Sequence, residues 1–199
     1  MSSAPRFSPL FTPYRLGPVT APNRFYQVPH CSGMGHERPH TLAAMRGMKA
    51  EGGWGIVNTE YCTIHESSDD APFPIQTLWD DEDIRQHAMM TEAVHKHGSL
   101  AGVELFLGGQ RMANLGSRLP PMSIESMPVL GGDPVQTKAL DRQDIANIRR
   151  WHVDAAKRAV TAGFDLVYVY ACHHYLLHSF LNGHENARRD EYGGSAQNR

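Results

Sequence analysis

A chain of 199 residues with 41% apolar content can bury a core of ordinary size, as one domain or as part of a larger one. Its formal net charge of −2 provides no basic stripe for a phosphate backbone or an anionic membrane, so neither nucleic acid nor a membrane is expected as a partner. No window approaches about eighteen consecutive apolar residues, and MSSAPRFSPLF lacks the charged start and apolar centre of a secretory signal, which points to the cytoplasm.

The first β-type run is RFYQV from Arg24, which leaves through the turn PHCSGMG. A helix candidate at Thr41 to Glu51 closes on Gly52-Gly53, and GIVNTEY from Gly55 reads as the second strand. Asp81 to His97 forms the next helix candidate, ending at Gly98-Ser99, and LAGVELF from Leu100 is the third strand. Gly108 to Lys138, with Pro120-Pro121 and Gly131-Gly132, is a long irregular excursion. Asp141 is the expected N-cap of a helix running to Ala162; after Gly163 the run DLVYVY from Asp165 makes the fourth strand.

Strand alternating with helix implies a parallel sheet covered on its outer face. The turn after the first strand does not fit the GxGxxG pattern of a doubly wound sheet, so the α/β class expected is a (β/α)8 TIM barrel. Such a barrel needs roughly 250 residues, and only about the first four βα units are seen; residues 1–199 read as the N-terminal half of a barrel domain. That half is expected to form a homo-oligomer or to require the remainder of the barrel, because open strand edges associate.

Strand ends on the carboxyl face of a barrel hold catalytic groups. Those ends gather Pro29, His30 and Cys31, then Glu60 and Tyr61, then Glu104 and Arg111, then Tyr170, His173 and Tyr175. The three cysteines, Cys31, Cys62 and Cys172, are odd in number and widely spaced, which argues against a disulfide framework and a zinc ribbon. Of the twelve histidines, His173, His174 and His178, or His65 with Cys62, invite a metal reading. The scattered spacing yields no closed four-ligand set, and no metal is expected. The acidic run Glu66 to Asp70 reads as a solvated loop.

The runs AGFDLVYVYACHHYLLHSFLN and RRDEYGGSAQNR, with NRFYQVPHCSGMG, KAEGGWGIVNTEYC and HKHGSLAGVELFLGGQR upstream, resemble old yellow enzyme-type flavin oxidoreductases, specifically their trimethylamine dehydrogenase-like branch. The resemblance covers nearly the whole chain. It implies an FMN cofactor, with Cys31 in the place of a cysteine that forms a thioether to the flavin ring; Cys62 and Cys172 have no matching role and read as packing residues. Pro29 and His30 would offer backbone groups to the flavin, and Glu104 falls where a side chain meets the pyrimidine edge. Many relatives carry Gln there, and an ionised Glu cannot donate to the neighbouring carbonyl. The usual cofactor-phosphate loops follow strands seven and eight, which are not among the four strands read here.

Where reductases of this type present His-x-x-His or His-x-x-Asn before Gly-Tyr-Leu, this chain has Tyr170-x-x-His173 before His174-Tyr175-Leu176. The Tyr/His pair belongs to the amine-oxidising branch, and the resemblance therefore implies dehydrogenation of a small methylated amine to an imine that hydrolyses to aldehyde. Tyr170 and His173 would handle protons, Tyr175 matches a proton-donating tyrosine, and Tyr61 would form an aromatic wall for a methylated ammonium. The resemblance places an iron–sulfur cluster in a C-terminal part, and the electron acceptor stays open. Two alternatives stand beside this reading: an NAD(P)H-dependent reductase of activated alkenes, and a non-catalytic half-barrel.

Overall fold

The computed structural model of the protein describes residues 5–72 and 74–199; Met1 to Ala4, where the stretch read for a leader begins, lie outside the described residues. After a 3-10 turn at Pro5–Phe11, strands β1 (Tyr14–Leu16) and β2 (Val19–Ala21) pair as an antiparallel hairpin. The elements that follow are β3 (Tyr26–Gln27), α1 (Pro39–Glu51), β4 (Ile56–Thr63), α2 (Asp83–His95) and β5 (Leu100–Phe106). Then come β6 (Met122–Ser123), β7 (Lys138–Ala139), α3 (Arg142–Thr161), β8 (Leu166–Val169) and α4 (Leu176–Leu181). The hairpin, the short β6/β7 pair and α4 were not anticipated, because each is too short to show a period.

Four strands build one sheet in the order β3-β4-β5-β8, parallel throughout. The helix exits behave as glycine permits: Gly53, Gly98 and Gly163 take φ of 98°, 76° and 91°, and the chain turns back into the next strand. Asp141 caps α3 through a reciprocal box, accepting from the Asp144 amide at 2.8 Å while the Asp144 carboxylate accepts from the Asp141 amide at 3.0 Å.

One face of the sheet packs on the helices. Val57, Cys62, Val103 and Leu105 meet Met90, Val94, Ala155 and Ala159 there, all buried. The other face is polar and aromatic, and a bulge in β4 decides which residues reach it. Asn58 pairs with Gly102 but Tyr61 pairs with Glu104, so two residues of β4, Thr59 and Glu60, stand opposite one of β5. Strict alternation from Asn58 would send Tyr61 towards the helices; the extra residue instead brings it beside Glu104 and Phe106. The partial barrel thus presents Asn58, Tyr61, Glu104, Phe106 and Tyr168 on one surface. Among the described residues no helix is long and apolar enough to cross a membrane.

Candidate active site

The loop leaving β3 is held by two buried charges. Glu60, fully buried, accepts at Oε1 from the Ser32 amide, from Ser32 Oγ at 2.6 Å and from the Gly33 amide at 2.8 Å, and at Oε2 from the Gly35 amide at 2.8 Å. A Cβ on Gly35 would lie 2.7 Å from Glu60 Oε2, so glycine is what lets the amide approach. Arg46, also fully buried, reaches the His30 carbonyl through Nη2 and Gln27 Oε1 at 3.3 Å through Nη1. Between these anchors sits Cys31, its side chain exposed at the end of the sheet. Partial desolvation pushes the Cys31 thiol up to about 11; the Tyr61 backbone opposes this, while the carboxylates of Glu60, Glu104 and Asp70 add to it. His30 has both backbone groups engaged, its amide on the Thr59 carbonyl at 3.4 Å and its carbonyl on Arg46. Its exposed imidazole is what it can turn to a ligand.

Across the sheet, the end of β8 carries a second polar group. Tyr170 Oη lies 2.7 Å from His173 Nδ1. Desolvation, then the nearby Glu104, holds the Tyr170 phenol well above its ordinary range, so the hydroxyl stays protonated; the tautomer whose Nδ1–H donates to the phenol oxygen leaves Nε2 free to accept a proton. His173 has a left-handed φ of 57°, and Arg111 Nε donates to its carbonyl at 3.2 Å. The rings of Tyr170, Tyr61 and Tyr175 cluster around Phe106. Tyr61 stacks on Phe106 at 4.2 Å, Tyr175 meets Phe106 edge-on at 4.6 Å, and Tyr61 lies 6.3 Å from Tyr170 and 6.5 Å from Tyr175. Phe106, completely buried, is a member of this aromatic group that the sequence reading overlooked. Its signal was present, since alternation along LAGVELF puts Phe106 on the same face as Glu104.

Glu104 lies at the floor of this group, 5% exposed. Burial alone pushes its carboxyl up to about 7, with no hydrogen bond among the described residues to offset it. Near neutrality it therefore spends much of its time as a carboxylic acid, which has the donor and acceptor of an amide. Two expectations are corrected. The run Glu66 to Asp70 is not a solvated loop: Ser68 is buried and accepts from the Gly108 amide at 2.8 Å, and Asp69 accepts from the Ala71, Gly116 and Ser117 amides. Asp70 takes a bond from Thr63 Oγ1 at 3.3 Å, and burial pushes its carboxyl to about 6. Cys62 packs in the core as expected, but Cys172 does not; its sulfur lies 3.5 Å from His173 Nδ1.

The rim is open, with a free thiol at one edge, a Tyr–His pair at the other and aromatic rings between them. Residues 9–199 match the model of the NADH:flavin oxidoreductase / NADH oxidase family. The chain belongs to that family. Dimethylamine dehydrogenase from Hyphomicrobium sp. (strain x) is 45% identical over all of this chain and 28% of its own length. NADPH dehydrogenase from Bacillus subtilis (strain 168) is 31% identical over 96% of the chain and 56% of its own. Among solved structures, histamine dehydrogenase from Rhizobium sp. 4-9 superposes with a TM-score of 0.93 at 46% identity, covering 97% of this chain and 28% of that one. The old yellow enzyme homologue from Zymomonas mobilis gives 0.83 at 27% identity, covering 95% and 56%. The chain thus spans between about a quarter and just over half of the length of these relatives.

A family flavin fits the residues present. Glu104 supplies a buried carboxyl without a protein donor, suited to a ring N–H, and Cys31 presents its thiol at the same rim.

Proposed function

We propose that this chain carries one side of an FMN-dependent amine dehydrogenase site, acting on a small methylated amine. The observation that carries the reading is the Tyr170–His173 hydrogen bond of 2.7 Å, with the Tyr61 ring 6.3 Å from Tyr170. The amine-acting relatives, dimethylamine dehydrogenase and histamine dehydrogenase, stand at 45% and 46% identity, above the NADPH dehydrogenase at 31%.

When bound, FMN supplies a two-electron acceptor for hydride from the carbon beside the amine nitrogen. The protein's own work is to bind and deprotonate the amine. The Tyr61 and Tyr175 faces attract a methylated ammonium by roughly 0.5 to 2 kcal/mol. His173 takes the ammonium proton at Nε2, because only the neutral amine has the lone pair that assists hydride loss, and Tyr170 accepts from Nδ1–H and so holds the imidazole in position. Glu104, Pro29 and His30 would line the cofactor's side, and Cys31 would hold the ring through a thioether. Glu60 and Arg46 position that sulfur by fixing the backbone on both sides of it.

On this reading the remainder of the barrel and an iron–sulfur centre belong to sequence outside these residues, and a homo-oligomer or the rest of the barrel covers the open sheet edges. Three unbridged thiols, with Cys31 exposed, support a reducing compartment such as the cytoplasm.

Anaerobic mixing of the FMN-loaded protein with dimethylamine and, separately, with NADPH tests the reading. Bleaching of the flavin by the amine alone is expected. Bleaching by NADPH alone makes the protein an alkene reductase, and failure to retain FMN makes it a non-catalytic half-barrel. Yellow colour that stays with the acid-denatured protein, and is lost in Cys31→Ala, is the expected mark of the tether.

A further inference from the structure

Next to the proton pair in sequence lies a cluster the proposed reaction does not use. His174, His178 and Glu185 each offer a ligand atom, and these atoms lie within 4.8 Å of one another. The two imidazoles are 4.7 Å apart by their ring centres, and His174 Nδ1 contacts Glu185 Oε1 directly. All three side chains are half-buried, so the group is neither a mobile surface fringe nor sealed from solvent.

Two independent features suggest that the cluster is built for a ligand. His174 has a φ of 60°, a left-handed conformation that strains a residue with a Cβ and that glycine takes freely. The strained backbone is what carries its Nδ1 to Glu185. Behind the carboxylate sits Gln110, 2% exposed, which donates Nε2 to Glu185 Oε2 at 3.3 Å while its own Oε1 is buried without a hydrogen-bond partner among the described residues. A buried amide that fixes the carboxylate and has an acceptor to spare is the kind of support that orients metal ligands and receives a hydrogen from a metal-bound water.

We propose that His174, His178 and Glu185 bind a divalent transition-metal ion of the zinc class, in a three-ligand site with a fourth position open to water. Zinc ligands at about 2.0–2.2 Å in tetrahedral array stand about 3.4 Å apart, so side-chain rotations of about an ångström close the present spacing. Two imidazoles and one carboxylate suit zinc, and the set lacks the all-oxygen character that calcium or magnesium requires. On binding, the ion replaces the proton between His174 and Glu185. It ties α4, through His178, to the segment that carries Glu185. Because His174 stands between His173 and Tyr175, the ion also fixes the backbone of both; this structural effect holds whatever reaction the rim performs.

The metal-free protein is titrated with zinc chloride by calorimetry and with cobalt(II) by visible absorption, and its thermal midpoint is read with and without zinc. One equivalent is expected to bind saturably, with cobalt ligand-field bands and a raised midpoint. His178→Gln and Glu185→Gln should each weaken binding at least tenfold. His174→Gly should raise the metal-free midpoint, by relieving the left-handed strain, and abolish the rise caused by zinc. Absence of one-equivalent binding overturns the proposal. So does binding that survives unchanged in the His178→Gln/Glu185→Gln double variant, which would put the ion on other histidines of the chain.

Discussion

Glu104 makes the rim sensitive to pH. Its folded carboxyl titrates near 7 against an ordinary value of 4.5, so between those values the folded chain holds a proton that the unfolded chain has released. Stability from this group is therefore highest below about 4.5, falls as pH rises towards 7, and is level above it. Asp70 acts with the same sign over a lower window, from 3.8 to about 6. In Glu104→Gln, urea unfolding at pH 5 and pH 8 should show a smaller loss between the two than the parent does, and FMN affinity should lose its dependence on pH across 6 to 8. Tyr170→Phe removes the hydrogen-bond partner of His173 Nδ1, and the rate of flavin bleaching by amine should fall about 100-fold while FMN binding is kept. The exposed Cys31, with its thiol near 11, should react slowly with iodoacetamide at pH 7 and faster up to that value. At this scale the sequence revealed residue types better than surroundings. A cysteine after Pro-His is visible in a string, but its position between a buried Glu60 and a buried Arg46 depends on residues 28 and 16 positions from their partners.

Among the elements, α3 was the most legible, for it has twenty residues, a capping Asp and a glycine exit. Asp141→Ala should cost about 1 kcal/mol in chemical denaturation, since it removes the bond to the Asp144 amide, and should leave flavin binding unchanged. The strands β4 and β5 were legible in position but not in facing. In GIVNTEY the bulge lies between Asn58 and Tyr61, and nothing local marks it; the second residue opposite β5 exists because Glu60 is needed at the β3 turn while Tyr61 keeps its partner Glu104. Gly35→Ala should loosen that turn by forcing its amide off Glu60, read as flavin that binds but no longer survives acid denaturation with the protein. The short α4 and the β6/β7 pair escaped because tertiary contacts hold them: the Leu176 amide bonds the Leu107 carbonyl at 3.2 Å, and Arg188 Nη1 bonds the carbonyls of Ile124 and Leu140.

For the molecule as a whole, β8 is the outer strand beyond β5, and Val167, Tyr168 and Val169 are 42%, 42% and 54% exposed. An apolar strand edge so open favours association, and the protein should show concentration-dependent mass in sedimentation, reduced in Val169→Lys. The sheet also sets a span. Cys31 follows the strand at one margin, and Tyr170 and His173 follow the strand at the other, with β4 and β5 between. Three strand spacings make roughly 14 Å, a gauge between the two outer strands fixed by main-chain hydrogen bonds. Rim side chains other than Glu60, Arg46 and Tyr170, which hold its two ends, can therefore be exchanged, and its selectivity rewritten, while the sulfur and the imidazole keep their separation.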